Sequence, residues 1–463
     1  MSTTTSHEKL PTRLKLIYGL GDWGAAAATT ARNVFWFFFI TSVVGLDAGP
    51  AGIIFLIGRI WDGINDPLIG SLSDRLRTRW GRRRPLLLFG AVPFGLTFAL
   101  LFSVPPFASD LGKIVYYTLV FLLFDTLFTM INVPYSALAP ELTADFDERS
   151  NLAGWRIAVS ILASLITGGL FKLLAEQLFA GWFGGSLPAG YFFSAGLWGL
   201  SMIFPLLLLF GAVQEPPHTP DSDPFRPGQA FRQVFSNRPF RLAAIIYLLT
   251  FSAVDIVLLI FVRFLVDYVR VSAGFDNLLL AVVLLLAFIT MPLTVTLMRR
   301  FGKRQTYMIS MAFMSIVLLI VSQVPPGGQN LMLVAAIFAG LGYGAANVIP
   351  WAIVGDVIEV DELQYGKRRE GLYYGYLVFF RKLASALAAF GVGQLLDAAG
   401  FVSGTQGSAF IEQPPSALLA MRFLIGVAPA ILITIAILAA WHYPLDRETY
   451  NAVRRQLAEK KAP

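Results

Sequence analysis

Between residues 59 and 67 the chain reads RIWDGINDP. Arg59, Asp62 and Asp66 stand in a stretch, 49–72, that is otherwise apolar or small. Asp62 and Asp66 are four apart and share a helix face, with Arg59 one turn before Asp62. Asn65 adds an amide oxygen near the same rim. Two carboxylates and an amide oxygen, joined by a hydroxyl from another helix, are the hard oxygen ligands that a small hard cation requires. Two carboxylates held close in a low dielectric cannot both ionise cheaply, and Na⁺ or a proton relieves the repulsion. Pro67 removes a backbone donor and can free carbonyls as further ligands. The competing account is a buried ion pair in which Arg59 neutralises one aspartate. It leaves the second carboxylate over, which favours a cation site.

The elements that position these groups are membrane spans. Of 463 residues 56% are hydrophobic and 14% charged, against about 25% charged in soluble domains. The mean hydropathy is +0.66. Apolar runs of about 20 residues recur along the chain, each long enough to cross a ~30 Å hydrocarbon core. They place twelve spans at 16–43, 50–73, 85–105, 113–138, 151–178, 189–213, 240–268, 277–298, 304–323, 330–354, 371–396 and 416–441. A β-barrel would instead show ~10-residue alternation. The first apolar stretch is too long for a signal sequence and reads as a retained helix. The chain has no cysteine and three histidines, in a tail, a loop and a helix end. Disulfides, thiol catalysis and a histidine metal cluster are thereby excluded, and no nucleophilic triad or phosphate loop marks an enzyme.

Charge placement gives topology. Of 36 Lys and Arg residues, counting Lys113, Arg241 and Arg304 at span ends with the loops they adjoin, 26 lie in the tails and even-numbered loops, 2 (Lys113, Arg270) in odd-numbered loops and 8 inside spans. By the positive-inside rule both termini are cytoplasmic, in a cytoplasmic (inner) membrane. The net charge of +7 is therefore topological and no sign of nucleic acid.

The spans divide into 1–213 and 239–442, separated by a Pro- and charge-rich linker, 214–238, and followed by a tail, 443–463. The halves echo each other. NVPYSALAPELTAD starts at Asn132 and NVIPWAIVGDVIEVD at Asn347; basic loops 74–84 and 299–304 follow the second and eighth spans. Half-length internal similarity is the mark of repeat-built transporters, with substrate expected near the midplane between two rocking halves. No filter loop supports a channel.

Ionisable groups inside spans cost about 2.5–3.5 kcal/mol each on insertion scales and are functional candidates by default. Beyond span 2 they are Asp22, Arg32, Asp125, Arg156, Lys172, Asp255, Arg263, Arg381, Lys382 and Arg422. Arg156, Lys382 and Arg32 suit a carboxylate- or sulfonate-bearing sugar; salt bridges to Asp22, Asp125 or Asp255 are the alternative. Tyr135, Trp351, Tyr373, Tyr374 and Tyr376 offer faces for sugar C–H groups, or else serve as packing aromatics.

RIWDGINDPLIG followed by RWGRRRP resembles the glycoside–pentoside–hexuronide:cation symporter family of the major facilitator superfamily. YGLGDWG (18–24), NVPYSALAPELT (132–143), DVIEVDELQYGKRREGLYYG (356–375) and FFRKLASA (380–387) agree, in family order over nearly the whole chain. The resemblance implies an all-α polytopic protein of twelve transmembrane helices in two pseudo-symmetric six-helix bundles. It implies uptake of a sugar or glycoside driven by Na⁺, H⁺ or Li⁺, with no organic cofactor. The implied cation site is Asp62, Asn65, Asp66 and Thr129. The implied substrate set takes in Asp22, Asn132, Tyr135, Arg156, Trp351, Tyr374 and Lys382. The lysine–aspartate pair of the melibiose branch falls on Ala25 and Ala26, and its sugar-holding aspartate on Asn132, so the pattern is closer to the glucuronide and pentoside branches. Arg59, Asp74, Arg75, Arg82, Asp145 and Arg149 form the implied cytoplasmic gate, with Glu148 and the acids of 356–370 as partners for the basic loops. The expected partners are a small-molecule substrate and the bilayer, for a monomer. Sodium-dependent lysolipid carriers share the span-2 pattern, and with 39 phenylalanines a lysolipid symporter is the alternative function.

Overall fold

The computed structural model describes residues 10–107, 109–143, 146–213, 234–365, 370–403 and 412–445, with 449, 452, 453 and 456. The described residues form twelve long helical stretches. The first, α1, joins Thr12–Leu20 to Trp23–Ala31 and runs on through π-helical turns at Arg32–Trp36 and Phe39–Val43. Then come Ala48–Arg75 (α2), Arg84–Leu101 (α3), Asp110–Leu142 (α4), Phe146–Leu173 with its continuation to Trp182 (α5) and Leu187–Ala212 (α6). The second set is Arg238–Arg263 with the turn Phe264–Val269 (α7), Phe275–Phe301 (α8), Lys303–Val321 (α9), Gln329–Tyr365 (α10), Glu370–Ala398 (α11) and Pro415–Trp441 (α12), the last with a π-helical turn at Phe423–Val427. Ten of them, α3 to α12, are long and apolar enough to cross a membrane. The other two are the broken α1 and the charge-bearing α2. No strand occurs among the described residues.

Several starts are written locally. Ser109, Ser186 and Asn237 accept hydrogen bonds from Gly112, Ala189 and Phe240 N–H at 3.2, 3.4 and 3.3 Å, capping α4, α6 and α7.

The chain forms two compact units. One holds residues 1–46, 57–221 and 403–409, the other 47–56, 222–402 and 410–463. The main division falls inside the expected linker, but the first turns of α2 group with the second unit. Close approach explains this: a Cβ on Gly52 would lie 3.1 Å from the Ala389 carbonyl and 3.2 Å from Gly393 Cα, so only small residues let α2 reach α11.

The first unit has an aromatic core. Trp36, Phe39, Phe98, Phe102, Phe121, Phe124 and Phe171 are buried, with ring centroids 4.8–6.5 Å apart in mostly tilted and edge-on pairs. Much of the phenylalanine excess is thus packing. The second unit buries Tyr247, Phe251, Tyr307, Met311, Ile349, Ile353 and Tyr373 around α7, α9, α10 and α11.

Candidate cation and substrate sites

In the first unit, α2 and α4 bring the expected oxygens together. Thr129 Oγ1 lies 3.0 Å from Asp66 Oδ1 and 3.3 Å from Asp62 Oδ1. A hydroxyl has one hydrogen, so it cannot serve both carboxylates fully. Asn65 Nδ2 reaches the Asp125 carbonyl at 3.5 Å. Asp62, Asn65 and Thr129 are buried, at 3%, 3% and 1% exposure, and Asp66 is half-buried. Two carboxylates, an amide and a hydroxyl converge from two helices, and this donor set fits a small hard cation, or a proton shared between the acids. Arg59 lies beside them: its Nη1 is 3.9 Å from Asp62 Oδ2, and its Nη2 donates to Asn33 Oδ1 at 3.3 Å. Trp61 Nε1 donates to Thr126 Oγ1 at 2.9 Å and fixes α2 against α4.

Asp125, Thr129, Asn132 and Ser136 recur at helical spacing and form one polar face of α4. Asp125 accepts from Arg32 Nη1 at 2.5 Å, and the Arg32 guanidinium lies 5.7–5.9 Å from the rings of Phe121, Phe124 and Phe128. Of the alternatives for Arg32, the ion pair is the one formed. Asn132 Oδ1 is buried with no hydrogen-bond partner among the described residues. At the other end of the face, Ser136 accepts from Arg156 Nη1 at 3.2 Å.

Arg156 is the centre of a second cluster. Its Nε donates to Asp22 Oδ1 at 2.9 Å, and its guanidinium lies 4.9 Å from the Tyr135 ring. Tyr135 stacks on Tyr18 at 5.0 Å and donates to the Tyr18 carbonyl at 2.7 Å. Tyr135 is 1% exposed, so its ring supports Arg156 instead of offering a free stacking face. The break in α1 places Asp22. A Cβ at Gly21 would meet Tyr135 Cε2 at 2.6 Å, and one at Gly19 the Trp155 carbonyl at 2.9 Å. Glycine lets α1 close on α4 and α5, and the turn at Gly21–Asp22 aims the carboxylate at Arg156.

In the second unit, Trp351 and Tyr374 lie together at 5.9 Å. Trp351 meets Tyr247 edge-on at 4.9 Å and remains 40% exposed, which leaves ring surface for a ligand. Beside them Arg381 makes a two-pronged bridge to Asp255, at 2.5 and 2.8 Å, with its guanidinium 4.9 Å from the Phe251 ring. Lys382 is half-buried. Sequence reading counted Arg381 and Asp255 as in-span charges but did not select them. The signal was present: they occupy spans 11 and 7, the repeat equivalents of the spans that carry Arg156 and Asp22.

Two further in-span bases are paired within their own helices. Lys172 donates to Glu176 at 2.8 Å, and Arg263 to Asp267 at 3.0 Å. At the helix ends, Glu148 pairs with Lys15 of α1 at 2.9 Å, where the sequence had set it against the basic loops, and Lys303 pairs with Asp356. Arg82 is half-buried before α3. Asp145 lies outside the described residues, as do the side chains of Asp74, Arg75 and Arg149.

Comparison with known proteins gives the family. The family model for MFS/sugar transport proteins matches residues 17–447. An uncharacterized symporter of Synechocystis sp. is 32% identical over 100% of this chain and 99% of its own. A sodium-dependent lysophosphatidylcholine symporter of Danio rerio is 28% identical, covering 96% of this chain and 90% of its own. A crystal structure of a D-xylose-proton symporter superposes with a TM-score of 0.66 at 16% identity, over 93% of this chain and 97% of that one, and shares the fold. The chain belongs to the MFS/sugar transport family of the major facilitator superfamily, in the glycoside–pentoside–hexuronide:cation symporter branch that its span-2 motif resembles.

Proposed function

We propose that this protein is a secondary active symporter that couples the entry of Na⁺ or H⁺ to uptake of a sugar or glycoside by alternating access. The observation that carries the reading is the Thr129 hydroxyl set between Asp62 and Asp66, with Asn65 alongside. Two acids from α2 and a hydroxyl from α4 share one small volume, the oxygen-rich setting that a small hard cation requires. The cation is cargo: it binds this oxygen set, relieves the repulsion and is released with the substrate.

Substrate hydroxyls would be met by Asn132 Oδ1, a buried acceptor, and by Asp22, while Arg156 and Lys382 would draw an acidic group such as a carboxylate or sulfonate. Trp351 and Tyr374 would stack on the sugar's C–H face. The residues of 1–213 and 239–442 act as two six-helix halves, with both termini cytoplasmic in the inner membrane and the chain a monomer. Arg59, Asp74, Arg75, Arg82, Asp145 and Arg149 serve the gate. A second reading, symport of a lysolipid, is supported by the sodium-dependent relative from Danio rerio.

The test is transport into proteoliposomes with and without a Na⁺ gradient, for neutral sugars, acidic sugars and lysolipids in parallel. A cation-driven sugar signal that disappears in Asp62→Asn is the expected result. Accumulation unaffected in both Asp62→Asn and Asp66→Asn would sink the coupling assignment, and a lysolipid signal without a sugar signal would replace the cargo.

A further inference from the structure

Arginines inside the spans of this protein come with acids. Arg32, Arg59, Arg156, Arg263 and Arg381 each have a carboxylate oxygen within 4.0 Å. Arg422, on α12, has none among the described residues. Its Nε donates to the Ser322 carbonyl at 2.9 Å and its Nη2 to Gln323 Oε1 at 2.5 Å, and its guanidinium lies 5.7 Å from the Tyr268 ring. Gln323 is held in turn, its Nε2 donating to Ser322 Oγ at 3.0 Å. Two neutral acceptors and a ring orient the guanidinium. They do not cancel its charge.

Two apolar cavities of the second unit meet at this point. One, about 560 Å³, is walled by Leu395, Leu419, Phe423 and Val427 and reaches Arg422 and Gln323. The other, about 330 Å³, is walled by Ile320, Leu331, Val334 and Phe338 and also reaches Gln323. Both have the size of small-molecule sites, roughly 300–1,000 Å³. Their walls face outward: Leu419 is 64% exposed, Ile320 58% and Val334 52%. On a helix that crosses a membrane, such side chains face acyl chains.

We propose that the end of α9 is a binding site for an anionic diacyl phospholipid, with one acyl chain in each groove and the phosphate on Arg422. A lipid with no net negative charge brings its own cation to the site and so adds no net compensation for the guanidinium beside hydrocarbon, where an uncompensated ion is costly. Guanidinium N–H groups not used by Ser322 and Gln323 match phosphate oxygens. Each groove would take one chain, and both grooves reach Gln323, the residue that holds the guanidinium. This site is separate from the cation cluster and from the proposed cargo residues.

The experiment uses the full-length protein, stripped of lipid in mild detergent and titrated with phosphatidylglycerol, phosphatidylcholine, lysophosphatidylglycerol or inorganic phosphate. Thermal midpoint and retained lipid by native mass spectrometry are read together, since a ligand of the folded state stabilises by mass action. Phosphatidylglycerol should be retained at one per chain and raise the midpoint most. Arg422→Gln should bind it about tenfold more weakly, the scale of one charge-assisted contact. Ala399→Trp, which fills the larger groove with Arg422 intact, should also weaken it, and it carries the test if Arg422→Gln fails to fold. Equal stabilisation by phosphatidylcholine overturns the role of charge. Equal binding of lysophosphatidylglycerol or inorganic phosphate overturns the two-groove site, and wild-type binding by both variants overturns its location.

Discussion

The two halves of the molecule carry the same device in different settings. In the first, Arg156 of α5 meets Asp22 of α1; in the second, Arg381 of α11 meets Asp255 of α7. Each guanidinium lies 4.9 Å from an aromatic ring. The differences are instructive. Arg381 grips its aspartate with both terminal nitrogens and is 22% exposed; Arg156 uses Nε for Asp22, spends Nη1 on Ser136 and is 30% exposed. A bidentate pair is the stronger and more rigid bridge. The looser pair is the one that shares helix α4 with the cation oxygens, through the face Asp125, Thr129, Asn132 and Ser136. That face gives the first half a physical route from cation site to arginine.

If the comparison is right, damage to the two pairs should differ in kind. The largest effect is expected from Asp255→Ala, which leaves Arg381 without its bidentate partner. Stability should fall by about 3 kcal/mol, seen as a lower thermal midpoint, with much of it recovered in Asp255→Ala/Arg381→Ala. A larger loss from Asp22→Ala would reverse the assignment of rigid and loose halves.

Next, Asp62→Asn should weaken the cation by roughly 100-fold, about 3 kcal/mol, because a charged ligand is replaced by a neutral amide. Na⁺-dependent thermal stabilisation reads this directly, and the midpoint without Na⁺ should hold or rise as the carboxylates stop repelling each other. Arg156→Lys keeps the charge but loses the fork. Cargo affinity should drop about tenfold while Na⁺ stabilisation stays near wild type. An equal fall in both would mean that the arginine is part of the cation site.

The smallest effect is expected from Thr129→Val, which keeps the shape and removes the shared hydroxyl. A loss of about 1 kcal/mol in Na⁺ binding, some fivefold, is the scale of one hydrogen bond, and isothermal titration would resolve it. No loss at all would take Thr129 out of the oxygen set.

Most of the architecture was legible. The run 416–441 matches Pro415–Trp441, and 371–396 matches Glu370–Ala398, because hydrocarbon thickness and hydropathy set span length. Where spans disagree, the cause is local or tertiary. Helix α3 stops at Leu101, short of the expected 105, before Pro105 and Pro106, which disfavour helix in the residues ahead of them. The break at Gly21–Asp22 in α1 was not legible, since it answers to Tyr135 and Trp155, more than a hundred residues away. Asp62, Asn65 and Asp66 were readable because their spacing lies within one helix. The ion-pair partners of Arg32 and Arg156 were foreseen only as a set of alternatives, and that of Arg381 not at all, because pairing across helices depends on which faces meet.

What this sequence determined by itself is membership and medium: a twelve-span chain, charges on alternating loops, and a pair of carboxylates one helical turn apart. These follow from periodicity and from the cost of placing ions in hydrocarbon, which act over neighbouring residues. The tertiary structure decided the rest. It set one hydroxyl of α4 between two acids of α2, tied Arg156 and Arg381 to their aspartates in unequal ways, and left Arg422 on the Gln323 that two grooves share, with no acid beside it among the described residues. Those outcomes depend on distances between residues far apart in the chain, and only helix packing fixes such distances.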